Sequence, residues 1–163
     1  MTNKSKSIGT KVESQIVNYL HIVGFSKAHR RALAGSLDIG DVLVCEGLII
    51  EAKGGAAAEN ASDGQLRLWC AETEREKANA KADEAFLVVK RKGHGVGKVG
   101  SWFVVHNEAG MLTRFLLGEY VVFLKALGYT ADGMKSKNSA LQANGGLDER
   151  FTTGSILDQI GAN

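Results

Sequence analysis

One stretch constrains this chain more than any other: Asp-Ile-Gly-Asp-Val-Leu-Val-Cys-Glu-Gly-Leu-Ile-Ile-Glu-Ala-Lys, residues 38–53. Two runs rich in Val, Leu and Ile flank Cys45-Glu46-Gly47, the pattern of a β-hairpin. A three-residue turn puts Gly47 at the left-handed position, pairs Val44 with Leu48 and sets Asp41 opposite Glu51. A two-residue Glu46-Gly47 turn instead sends Asp41 and Glu51 to opposite faces, because a one-residue slip reverses a strand. Within Leu48-Ile49-Ile50-Glu51-Ala52-Lys53, alternation puts Glu51 and Lys53 on one face in either case.

Under the three-residue turn, two carboxylates and an ammonium converge among aliphatic positions. Burying them is costly unless they pair or hold a cation. Two adjacent carboxylates repel each other, and a hard divalent ion such as Mg2+ favours that oxygen cluster. The plainer alternative is a hairpin whose polar face meets solvent, since Glu-x-Lys is a common strand pair.

The rest of the text supplies helices and further strands for one domain. Apolar residues Val12, Ile16, Tyr19, Leu20 and Val23 recur at helical spacing between Ile8 and Val23, and Gly24 stops the run. Glu13 falls on the border of that apolar face. After a small, polar, loop-like stretch from Gly54 to Gly64, Asp63 is placed to cap a helix to about Ala82, with Leu66, Trp69, Cys70 and Thr73 inward. Residues 85–91 and 101–107 read as strands. Residues 112–127 read as a helix with Phe115, Leu116, Tyr120, Phe123, Leu124 and Leu127 inward. The expected order is α-ββ-α-β-β-α, an α/β fold with a mixed sheet flanked by helices. The expected domain spans residues 1–128. Residues 129–163 read as a poorly ordered tail with one short helix near Ile156.

Charge is uneven on a nearly neutral chain of 163 residues with net charge +2. Lys4, Lys6, Lys11, Lys27, Arg30 and Arg31 meet only Glu13 in the first 31 residues. Lys90, Arg91, Lys92 and Lys98 form a second cluster. Such patches suit a polyanion and equally suit ordinary solvated side chains. No apolar run approaches a membrane span, the polar start lacks a secretory signal, and two cysteines make no disulfide framework. A reducing cytoplasmic setting, in a prokaryote or a phage-infected host, is the expectation.

The series Glu13, Gly24-Phe25, Arg30, Gly35-Ser36, Asp41 and Glu51-Ala52-Lys53 resembles the PD-(D/E)XK nuclease superfamily, and within it the small Holliday junction resolvases of archaea and phages. The likeness covers residues 7–55 well and the later elements only by their order. The proline that usually precedes the first acid is absent here, as in many resolvases. The resemblance implies a restriction-endonuclease-like core and a Mg2+-dependent endonuclease, with Mn2+ as a substitute, acting in DNA recombination and repair. It implies that Asp41, Glu51 and the Ala52 carbonyl bind the ion, which polarises the scissile phosphate and acidifies its bound water. Lys53 would orient that water or stabilise the transition state's charge, and Glu13 would complete the metal shell. Asp38 is an auxiliary candidate that reads better as a turn acid. Gln65 is another, and the polarity of a helix start explains it just as well.

Lys27, Arg30, Arg31 and Lys98 are the candidate DNA-phosphate contacts, with a solvated turn as the alternative for the first three. Residues 95–100 match G-x-G-x-x-G, but a strand follows, so no dinucleotide fingerprint is read; a flexible basic hairpin loop touching DNA fits better. Cys45, Cys70, His21, His29, His94 and His106 lack zinc spacing, and Trp69 and Trp102 read as core. Cutting two strands of a junction calls for a C2 homodimer. The face carrying Phe115, Tyr120 and Phe123 is its candidate surface, with plain core as the alternative. Alternatives to a resolvase are a flap, end or duplex nuclease of the same fold, or a DNA-binding module whose carboxylates only stabilise it.

Overall fold

The computed structural model describes residues 4–32 and 38–135. Three layers result: two helices, a six-stranded mixed sheet, and two more helices. The first helix, α1 (Lys4–Ile22), buries Val12, Ile16 and Leu20, with Tyr19 and Val23 packed beside them, as the spacing predicts. Short β1 (His29–Arg30) then pairs with β2 (Val42–Cys45), which turns back into β3 (Leu48–Lys53). Beyond β3 come α2 (Gly55–Glu59) and α3 (Asp63–Ala80). The stretch expected as a plain loop therefore holds a helical turn, and Ser62 rather than Asp63 caps α3, accepting from the Gln65 N–H.

Strands β4 (Glu84–Val89), β5 (Phe103–Glu108) and β6 (Met111–Leu116) complete the sheet in the order β1-β2-β3-β4-β5-β6. Only β3 and β4 are parallel; the other pairs are antiparallel. Central β3 has both faces covered, which is why its text is so apolar. Ile50 and Ala52 pack with α1, Val88, Trp102 and Val104 on one face. Leu87, Val89 and Val105 pack with Leu66 and Cys70 of α3 on the other.

Three expectations need correction. Residues 111–116 form strand β6, so the last helix, α4, starts only at Leu117 and ends at Ala126. A full ladder from Phe103–Leu116 to Glu108–Met111 outweighs the helical reading of that text. Its buried stripe is consequently Leu117, Val121 and Leu124, while Phe115, Phe123 and Leu127 are exposed. Second, the segment Val96–Ser101 is two 3₁₀ turns meeting at a kink at Lys98, with Val99 buried, not a free loop; it leads into fully buried Trp102, whose indole N–H donates to the His94 carbonyl. Third, Tyr129 is buried in the core and starts a small hairpin of β7 (Tyr129–Thr130) and β8 (Gly133–Met134). Folded structure therefore runs past the expected boundary at 128. The tail beyond residue 135, with the expected helix near Ile156, and Gly35-Ser36 of the motif lie outside the described residues. No helix among the described residues is long and apolar enough to cross a membrane.

Candidate metal centre

The hairpin register combines both sequence alternatives. Cys45 pairs with Leu48, so the turn is the two-residue Glu46-Gly47, with Gly47 at φ +77°. Yet Leu43 pairs with Ile49 and Val42 with Ile50, because a bulge between Leu43 and Cys45 absorbs one residue. That bulge restores the register of the longer turn. Asp41, just ahead of β2, therefore lies beside the second half of β3: its N–H donates to the Ile50 carbonyl (3.0 Å) and its Oδ2 accepts the Ala52 N–H (2.9 Å).

Glu51 is registered against Leu87 and Lys53 against Val89, both of which pack under α3. Parallel partners point the same way, so both charged side chains face α3. The Lys53 ammonium donates to Glu51 Oε1 at 2.7 Å and lies 3.4 Å from Glu72 Oε2. Its Nζ also stands 5.8 Å over the Trp69 ring. Asp38, Glu51 and Glu76 each offer an oxygen within 4.8 Å of the others. Glu51 and Glu76 are both only 5% exposed, and Oε2 of each has no hydrogen-bond partner among the described residues.

Burial pushes the Asp41 carboxyl up to about 7, and the charges of Glu51 and Glu13 add to it against the Ala52 hydrogen bond. Burial likewise raises Glu51 to about 7; Lys53 opposes this and Glu76 reinforces it. Glu76 is raised by burial and by the charges of Asp38 and Asp41, against a hydrogen-bonding interaction with Glu51 and the charge of Lys53. Burial pulls Lys53 down, but Glu51, Glu72 and Asp41 outweigh it and hold the ammonium above its ordinary value. Carboxylates this reluctant to ionise, with buried oxygens left over, fit a hard dication: it would supply the missing partner and favour the ionised forms.

The remaining expected residues are accounted for individually. Glu13 is mostly covered and takes a 2.7 Å hydrogen bond from Arg30 Nε, so it reaches Asp41 through its charge while its carboxylate serves Arg30. Arg31 donates to the Ile39 carbonyl at 2.7 Å, and Lys27 pairs with Asp132 beyond β7. Lys98 is exposed on the 3₁₀ segment. Gln65 uses its backbone N–H in the α3 cap. Ala52 gives its N–H to Asp41 and turns its side chain toward α1. Asp38 Oδ1 accepts from the Gly40 N–H, the turn role, and its carbonyl accepts from Asn79. Cys45 and Cys70 are buried free thiols.

Sequence reasoning missed Glu72 and Glu76. The signal was present: the inward stripe Leu66, Trp69, Cys70 and Thr73 continues at helical spacing to Glu76, and Glu72 lies one turn before it. No family model, curated protein or solved structure matches this chain.

Proposed function

We propose that this chain is a divalent-metal-dependent DNA endonuclease with a restriction-endonuclease-like core, and that it cuts branched DNA as a Holliday junction resolvase. The observation that carries the reading is the meeting of Asp41, Glu51 and Lys53 at the end of β3, with Lys53 hydrogen-bonded to a buried Glu51. Asp41, Glu51 and the Ala52 carbonyl are the proposed ligands of Mg2+ or Mn2+. The ion, when bound, supplies Lewis-acid polarisation of the phosphate and acidifies a water.

The protein's own groups do the rest. Lys53 is anchored by Glu51 and Glu72, which keeps it protonated and aimed at the site, where its ammonium offsets charge building on the phosphoryl oxygens. Asp41 is held by the Ala52 N–H, so the ligand spacing is built into the hairpin. Glu13 fixes Arg30 beside that hairpin, a position for phosphate contact together with Arg31, Lys27 and Lys98. Lys27 is paired with exposed Asp132 and Arg31 with a backbone carbonyl, partners that a phosphate can replace at little cost. Two cuts call for two copies, and exposed Phe115, Val122, Phe123 and Leu127 supply an apolar face for a homodimer.

A cleavage assay on a synthetic four-way junction beside matched duplex and flap DNA tests this. Mg2+-dependent cutting that prefers the junction and disappears in Glu51→Ala, with junction binding kept, is the expected result. Cutting unaffected by that substitution or by chelation overturns it. A preference for flap or duplex keeps the nuclease and removes the resolvase.

A further inference from the structure

The geometry points to a divalent-cation site formed by Asp38, Glu51 and Glu76, separate from the Asp41 side of Glu51. Its role in cutting rests on the nuclease reading, but its existence rests on the carboxylates themselves. The three ligand oxygens lie within 4.8 Å of one another. Opposite oxygens around Mg2+ or Mn2+ stand about 4.2 Å apart and around Ca2+ about 4.8 Å, so the spacing needs little adjustment.

Clustered acids alone are common; the orphaned atoms set this group apart. Glu51 commits Oε1 to Lys53, while Oε2 remains buried without a partner. Glu76, on the inner face of α3, likewise keeps a buried Oε2 without a partner. Two ionised carboxylates cannot satisfy each other's oxygens, and a cation between them supplies the missing partner. Asp38 is exposed and forms the open side of the site; its backbone is tied to α3 by Asn79 Nδ2 at 2.8 Å.

The surroundings agree with a dication and not with an anion or an apolar ligand. A cleft of about 520 Å³ opens here, lined by Asp38, Glu72 and Glu76 with Lys53, Arg75 and Asn79. With Glu51 beneath it, the acids exceed the bases by two charges. Oxygen is the only donor element, which selects Mg2+, Mn2+ or Ca2+ over softer metals. A cation bound there links β3, the segment before β2 and α3 through one carboxylate from each. Glu51 then serves this cation through Oε2, the oxygen that its bond with Lys53 leaves over.

The test is Mn2+ binding to the chelator-treated full chain at pH 8 without DNA, followed by the electron paramagnetic resonance of free Mn2+. Asp38→Asn and Glu76→Gln should each weaken one class of sites by about tenfold or more, while Asp41→Asn leaves that class intact. Asp38 is exposed, so its variant reports even if Glu76→Gln folds poorly. Wild-type affinity and stoichiometry in Asp38→Asn, or in a folded Glu76→Gln, overturn the site. Failure of the nuclease reading looks different: Mn2+ binding that depends on Glu76 remains, and no Mg2+-dependent cleavage is found.

Discussion

Lys53 and Glu51, two residues apart on one face of β3, share a 2.7 Å hydrogen bond that satisfies only one of the carboxylate oxygens. The pair is therefore half complete. Its ammonium side is anchored by two acids, and its opposite side looks into the cluster from α3.

Replacing Lys53 with Met separates the chemical and structural roles of that pair. The long apolar stem is kept and the charge is lost. Cleavage should fall by about 10²–10³-fold with junction binding kept, the loss seen when one transition-state donor is removed. Stability should fall by up to about 3 kcal/mol, because Glu51 is left as a buried charge without its partner. Protonation of Glu51 relieves that cost, so urea unfolding should show a larger loss at pH 8 than at pH 5. An equal loss at both values would show that the two side chains are not coupled electrostatically.

Asp41 and Glu51 also set the direction of a pH effect. Both carboxyls titrate at about 7 in the fold against ordinary values of 3.8 and 4.5. The metal-free fold holds their protons more tightly than the unfolded chain does. Their contribution to stability is thus complete below about pH 4 and drains away as pH climbs to about 7. Mg2+ binds the ionised forms, so its stabilisation should be small at pH 5 and large at pH 8. Thermal melts in EDTA and in Mg2+ at those two values check this. The same rise in Tm at both would contradict it.

Much of this architecture is legible in the residues. The stripes Val12-Ile16-Leu20 and Leu66-Cys70-Thr73 mark α1 and α3 because each has one helical period and one covered face. The site is legible in part: alternation in β3 is enough to align Glu51 with Lys53. Placing Asp41 required a bulge at Val44, and a bulge is a local backbone adjustment without a residue signature here. Residues 111–116 misled because Leu112, Phe115 and Leu116 satisfy a helical spacing, and pairing with distant β5 decided otherwise. Glu76 escaped notice because a charge on an inward stripe looks like its end; its tolerance there depends on Glu51 and Asp38, brought in from other elements.

Gly54 provides a test of how tightly the site is mounted. It follows Lys53 directly, and a Cβ built there runs into the Val12 side chain of α1. Its φ of −133° suits any residue, so the obstacle is space alone. Gly54→Ala should cost about 1–3 kcal/mol and reduce cleavage by displacing Lys53. Val12→Ala costs stability through the cavity it leaves, yet in combination with Gly54→Ala it should recover part of both losses. A double-mutant cycle by urea unfolding measures this, and strict additivity would show that the two positions do not press on each other.

His106 gives the opposite pH signature to the acids. Its ring lies 5.2 Å from Tyr120 and 6.0 Å from Phe115, with a buried Nε2 that has no hydrogen-bond partner among the described residues. Burial lowers its pKa below the ordinary 6.5, against the raising influence of Glu84, Glu74 and Glu108. Below about pH 6.5 the unfolded chain takes up a proton that the fold resists, so this residue drains stability as pH falls toward its folded value. Phe keeps the aromatic packing and removes the titration. The stability of His106→Phe relative to wild type should therefore rise between pH 7.5 and pH 5.5 in urea unfolding. Wild type and variant differing by a constant amount across that range would mean the imidazole is solvated or already paired, and that its neutral form is not what the aromatic cluster selects.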